Sequence, residues 1–174
     1  MSKLSITERS SQRTKRLALL SLGVAVAMLL SYIESLIPSV AIPGVKLGLA
    51  NVAVMIVLYK LGAWNAVAVS LVRVFLVALL FGSPVSLIYG ALGAIFSLAL
   101  MITLKKYAPF SPLGVSVAGG VAHNMGQICG ACFVMGTAKV AYYLPVLLLS
   151  GVLSGIFVGI CAGLIIKKLK NVNF

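Results

Sequence analysis

Long apolar stretches, interrupted mainly by single or paired cations, constrain this 174-residue chain more than any other feature. Hydrophobic residues make up 61% of it and charged residues 9%, against about 25% charged in ordinary soluble domains. A hydrocarbon layer roughly 30 Å thick takes about 20 apolar residues of helix to cross. The stretches therefore predict an all-α polytopic membrane protein. A polar N-terminal segment, residues 1–16, precedes a single domain, residues 17–170, built as a bundle of six transmembrane helices. These are predicted over 17–37, 46–59, 63–81, 85–104, 113–135 and 142–166, the second being short for a full span.

The net charge is +12, from 14 Lys and Arg against only Glu8 and Glu34; there is no aspartate. In a soluble chain this balance would suggest nucleic acid. Here the cations fall in short runs between apolar stretches and do not interleave with aromatics, so no nucleic-acid partner is expected. Eleven of them, Lys3, Arg9, Arg13, Lys15, Arg16, Lys60, Lys105, Lys106, Lys167, Lys168 and Lys170, fall on one side of the predicted bundle, and Lys46 and Lys139 on the other. Cations are retained on the cytoplasmic side, which predicts a multi-pass protein of the cytoplasmic membrane with both termini inside. The basic-then-apolar start is superficially like a signal peptide. The apolar stretch over 17–37 is too long for one and lacks a cleavage site, so it reads as the first span.

Polar residues inside a membrane helix are costly and face a protein interior or a wet cavity. Glu34, Lys46, Arg73 and His123 are the ionisable ones; Asn51, Asn124 and Gln127 are neutral. Ser116, Gly120, His123, Gln127 and Gly130 recur at spacings of four and three, which puts them on one helix face, with Asn124 beside it. Three hydrogen-bonding side chains within five positions point to a ligand site, although each could also bond a neighbouring helix. Lys46 at a predicted helix start opposes the macrodipole and suits a visiting anion, or pairs with Glu34. Arg73 lies too deep to snorkel and needs carbonyls, Glu34 or a bound anion.

Cys129, Cys132 and Cys161 sit in apolar stretches and read as inert buried packing, the Cys129–Cys132 spacing notwithstanding. Gly151, Gly155, Gly159 and Gly163 form a ridge for close helix packing, either within the bundle or against a partner. No paired carboxylate, Walker loop or metal-ligand cluster is present in the sequence, and magnesium-diphosphate chemistry would call for hard oxygen ligands that a chain without aspartate lacks. The chain is thus expected not to be an enzyme, and to bind neither metal nor cofactor.

Two segments carry a resemblance: Gly44-Val-Lys46-Leu-Gly-Leu-Ala-Asn51 and Gly119-Gly-Val-Ala-His123-Asn124-Met-Gly126-Gln127. They resemble the bacterial Gx transporter family, also called heptaprenyl diphosphate synthase component I, and the likeness extends over nearly the whole chain from the first helix onward. That family is similar in size and layout to the substrate-binding S components of energy-coupling-factor transporters. The resemblance implies a six-helix protein that captures a vitamin-like solute outside. It would then dock on a transmembrane coupling subunit driven by an ATPase pair, and topple to release the solute. Docking in such proteins uses small residues of the first helix; Ala18, Ser21 and Ala25 share one face here, Gly23 and Ala27 another. The synthase name implies a different setting, in which the catalytic partner resembles a soluble aspartate-rich protein.

The expected function is a solute-binding transport subunit for a small, anionic, vitamin- or isoprenoid-like molecule. Lys46 and Arg73 would meet its negative group, His123, Asn124 and Gln127 with Asn51 would orient it, and Glu34 would balance charge. The rival is an accessory membrane subunit of isoprenoid-quinone synthesis or of extracytoplasmic flavin or quinone electron transfer.

Overall fold

The computed structural model describes residues 6–36 and 47–171, with side chains described from residue 10. Among them all regular structure is helical: α1 (Ile6–Leu36), α2 (Leu49–Lys60), α3 (Ala63–Phe81), α4 (Pro84–Tyr107), α5 (Pro112–Met135) and α6 (Leu144–Lys168). Short 3-10 turns, Ala138–Tyr143 and Leu169–Asn171, flank α6.

Local chemistry sets several boundaries. Ser83 and Ser86 form a reciprocal capping box at the start of α4, with Pro84 in the first turn; this satisfies N–H groups that the helix cannot. Ser111 and Pro112 start α5 in a similar way. Gly62, at φ +97°, turns the chain between α2 and α3, a backbone conformation suited to glycine. α4 runs three residues past its predicted end, to Tyr107, and two helix starts differ from expectation. α1 starts at Ile6, within the segment read as a separate polar head, and runs unbroken for 31 residues. That is roughly 46 Å of helix, so its basic first turns extend beyond the apolar layer. α2 starts at Leu49 rather than at residue 46, because Gly48 takes a left-handed conformation (φ +73°) at its N-cap. Lys46 itself lies outside the described residues.

Helices α2, α3, α4, α5 and α6 close a ring in that order, and α1 packs outside it against α2 and α3. α2 is apolar all round and is the most enclosed element: Ala50, Val52, Ala53, Val54, Met55, Val57 and Leu58 are all buried. An all-apolar helix of this kind belongs in a core. Its Met55 and Leu58 join Val69, Leu98, Met101, Val115 and Val158 from four neighbouring helices in one cluster.

Four helical segments, residues 10–36, 63–81, 84–107 and 138–171, are long and apolar enough to cross a membrane, and the chain is a multi-pass membrane protein. α2, at 12 residues, is too short to qualify. α5 has the length, but His123, Asn124, Gln127 and its glycines dilute its apolarity. Sandwiched between α4 and α6, it need not be apolar on every side.

Glycine sets the spacing at that sandwich. Gly151, Gly155 and Gly159 of α6 lie against the α5 backbone; a Cβ at Gly155 would sit 2.6 Å from the Val117 Cα, and one at Gly151 2.8 Å from the Gly120 carbonyl oxygen. On the opposite side of α5, a Cβ at Gly126 would sit 2.5 Å from the Leu92 carbonyl oxygen of α4. The ridge therefore packs within the bundle, except at Gly163, which has open space around it. Gly120→Ala, whose new methyl would collide with the Gly151 carbonyl, should lower stability by about 1–3 kcal/mol. Gly163→Ala should change it by less than about 0.5 kcal/mol. Thermal unfolding of both variants in detergent checks the contrast.

Candidate functional site

The short α2 leaves a recess. Its C-terminus is level with the basic end of the bundle, where Lys60 donates to the Leu169 carbonyl and Lys105 Nζ to the Leu58 carbonyl at 2.6 Å. Twelve residues carry it only about 18 Å from there, while α3 to α6 continue further. Around its N-terminus lies a cavity of about 110 Å³. Glu34 of α1, Asn51 of α2, Arg73 of α3, and His123, Asn124 and Gln127 of α5 all line it. The structure thus brings six of the seven expected site residues to one place from four helices; the seventh, Lys46, is the undescribed one. Ser86 and Gly90 of α4, Ser154 of α6 and an apolar wall of Val74, Val77 and Ala78 complete the lining.

The electrostatics are unusual. Glu34 Oε1 accepts a hydrogen bond from the Gly48 N–H at 2.5 Å, so a carboxylate sits at the positive N-terminal end of α2. The anion position that a lysine at residue 46 was expected to serve is held in part by the protein's own side chain. Arg73 answers Glu34 electrostatically, yet its buried Nε–H has no hydrogen-bond partner among the described residues. A buried donor of a charged group left unmet costs more than about 1–3 kcal/mol.

The α5 residues differ in what they do. The His123 imidazole lies over Gly93 of α4, where a Cβ would come within 2.8–3.0 Å of the ring; the glycine makes room for the histidine. The buried Asn124 donates through Nδ2 to the Leu147 carbonyl of α6, so it ties two helices together as well as lining the cavity. Ser116 lies deeper, in a recess of about 20 Å³ that shares Asn51, Gly120 and Ser154 with the main cavity. A space of that size takes about one water or one methyl group.

Ser86, Gly90 and Ser154 were not anticipated. Ser154, set among the glycines of α6 with Oγ donating to the Gly151 carbonyl at 3.3 Å, was legible only as one of two hydroxyls, with Ser150, on an apolar helix. The expected docking residues separate cleanly from their alternatives. Gly23 and Ala27 face inward, Gly23 onto Val57 and Val69, whereas Ala18, Ser21 and Ala25 are exposed on the outer face of α1. The cysteines are free thiols, but the reading of all three as buried needs correction: Cys129 is exposed, on the part of α5 turned away from its neighbours, and Cys132 and Cys161 are half-buried. Among the described residues no three His, Cys, Asp or Glu side chains gather into a metal-holding group.

Fold and site together define a helical membrane protein with a polar cavity enclosed at one end of an apolar bundle. The chain belongs to the family described as heptaprenyl diphosphate synthase component I, whose match covers residues 24–165. No curated protein and no solved structure matches it significantly.

Two substitutions separate the roles of the cavity charges. Arg73→Met fills similar volume without a buried cation and should raise ligand-free stability by about 1–2 kcal/mol. Glu34→Ala removes the acceptor of the Gly48 N–H and should lower it by about 1–3 kcal/mol. Unfolding of the detergent-solubilised variants measures both.

Proposed function

We propose that this chain is the solute-binding membrane subunit of an energy-coupling-factor-type transporter, and that it takes a small anionic solute into the cavity around the α2 N-terminus. The observation that carries the reading is Arg73, whose buried Nε–H has no acceptor among the described residues that line the cavity. An anionic group would meet Arg73, and Lys46, outside the described residues, is the second cation expected to meet it. His123, Asn124, Asn51 and Gln127 offer donors and acceptors that fix the solute's orientation. Val74, Val77 and Ala78 suit a modest apolar portion, and Glu34 holds α2 while limiting the net charge of the cavity. A volume near 110 Å³ is well below the roughly 300 Å³ of the smallest drug-sized pockets, which favours a compact solute and leaves no room for a heptaprenyl tail.

The rest of the proposal follows from this role. The chain carries out no catalysis and uses no cofactor. The six-helix bundle spans the cytoplasmic membrane, with α2 ending inside it, the basic end and both termini inside and the cavity facing out. The exposed small residues Ala18, Ser21 and Ala25 on α1 would meet a transmembrane coupling subunit, itself driven by an ATPase pair.

The family's description favours a second reading, an accessory membrane subunit of isoprenoid-quinone synthesis or of extracytoplasmic flavin or quinone electron transfer. There the polar residues would brace the bundle or hold a quinone. The two readings part on co-purification: an ATPase pair with a coupling subunit supports transport, a prenyl synthase or redox protein the alternative. Native mass spectrometry of the protein purified in mild detergent should show one bound small anion. Arg73→Gln should weaken its retention by at least about tenfold, the scale of a hydrogen bond to a charged group. Protein free of ligand, and indifferent to a panel of vitamins and isoprenoid phosphates, would sink the transport reading.

A further inference from the structure

The opposite end of the bundle holds a second feature that solute capture does not use. A cleft of about 710 Å³ opens between the N-terminal turns of α1 and the corner joining α2 to α3. Arg13, Lys15, Arg16 and Lys60 line it, with Gln12 and Asn65, and among the described residues no carboxylate does. Lys60 is held by the Leu169 carbonyl, and Arg16 is held by a side chain of the bundle. Arg16 Nη2 donates to Asn65 Oδ1 at 2.8 Å, and Asn65 Nδ2 donates to the Leu61 carbonyl at 2.5 Å. Asn65 is buried, so the guanidinium of Arg16, an exposed residue that lines the cleft, is tethered to the bundle.

The cleft's surroundings indicate where its ligand comes from. Leu17, next to Arg16, is 65% exposed, and Trp64, next to Asn65, is 83% exposed. Tryptophan at a helix end marks the level of the lipid headgroups. Four cations at that level, beside an apolar flank of α1 that includes Leu22 and Val26, match an anionic headgroup whose tails remain in the bilayer. We propose that this cleft binds the phosphate headgroup of an anionic membrane lipid, with Arg16 as the fixed contact, Arg13, Lys15 and Lys60 as the surrounding field, and the acyl chains along α1. Positive-inside topology requires only that cations be present on this side; it does not require them to converge on a cleft or to be tethered by a buried asparagine. The site is independent of the solute cavity.

The test uses the full chain in a neutral detergent, titrated with dioleoylphosphatidylglycerol, dioleoylphosphatidylcholine or sodium pyrophosphate and followed by native mass spectrometry. Phosphatidylglycerol should be retained at least about 20-fold more strongly than phosphatidylcholine, and pyrophosphate should compete poorly. Each cation near a lipid surface is worth about fivefold in affinity, so Arg13→Gln with Lys15→Gln should lose about 20-fold. Asn65→Ala keeps every charge but frees Arg16, and should lose a few-fold while circular dichroism shows the helix content unchanged. Lys167→Gln with Lys168→Gln, which removes the same charge elsewhere at the basic end, should retain the lipid. Equal retention of the two lipids would overturn the proposal, as would equal losses from the two double variants. Pyrophosphate binding as tightly as phosphatidylglycerol would also overturn it, in favour of a soluble-anion site.

Discussion

The shortness of α2 is the constraint on which the rest of the structure depends. A helix of 12 residues spans about 18 Å and cannot cross a hydrocarbon core of roughly 30 Å. Placed in a ring whose other helices are longer, with its C-terminus at one face, it must end within the bundle. Its N-terminus then brings unpaired N–H groups and a positive dipole end to a depth where water is scarce. Such an end needs a negative partner, and Glu34 supplies one from the last turns of α1. The carboxylate in turn makes a cation tolerable across the cavity, which is where Arg73 stands. One short helix thus accounts for the recess, for a carboxylate in the membrane, and for part of the electrostatic setting of the arginine opposite.

A cavity lined by polar side chains also needs a scaffold that tolerates them. α5 carries three such side chains and could not face lipid on all sides. Glycines on α4, α5 and α6 let the three backbones approach until a single Cβ would clash, and that dense packing compensates for the apolar surface that α5 lacks. In lipid the association of helices rests on close packing and interhelical hydrogen bonds rather than on a hydrophobic drive. The contact between Asn124 and the Leu147 carbonyl adds the second of these to the first. Gly93 beneath His123 shows the same principle applied to a polar side chain: the space of the missing Cβ is filled by the imidazole.

The site was largely legible because its residues are the ones that lipid excludes. Glu34, Asn51, Arg73, His123, Asn124 and Gln127 stand out against apolar helices whatever the fold, and the spacing of His123 and Gln127 already set them on one face. What the sequence concealed has one physical cause. In a membrane bundle both the interior and the lipid-facing surface are apolar, so hydrophobic periodicity does not say which face turns inward. Cys129 looked buried and is exposed; the two small-residue faces of α1 were indistinguishable until Gly23 and Ala27 proved to be the packed pair. Backbone conformation was hidden for another reason. Nothing around Gly48 signals that it adopts φ +73° and delays α2 until Leu49, since a glycine also fits within a membrane helix. The continuation of α1 back to Ile6 was masked by polarity, which distinguishes water from lipid but not helix from coil.

The two ends of the bundle treat their cations in opposite ways, and the difference isolates Arg73. At the basic end Lys105 reaches the Leu58 carbonyl in the last turn of α2, Lys60 reaches the Leu169 carbonyl beyond α6, and Arg16 reaches Asn65. The carbonyls lie at helix C-terminal ends, where the dipole favours positive charge and orphan acceptors need donors. These contacts stabilise the fold with or without a ligand. Arg73 sits instead within α3, where backbone carbonyls are already committed to the helix, beside a carboxylate that has turned to cap α2 and with a buried Nε–H that finds no acceptor among the described residues. Packing alone would be better served by an uncharged side chain of the same size. Arg73 is thus the cation that packing among the described residues does not account for, and for that reason the proposed solute site is centred on it.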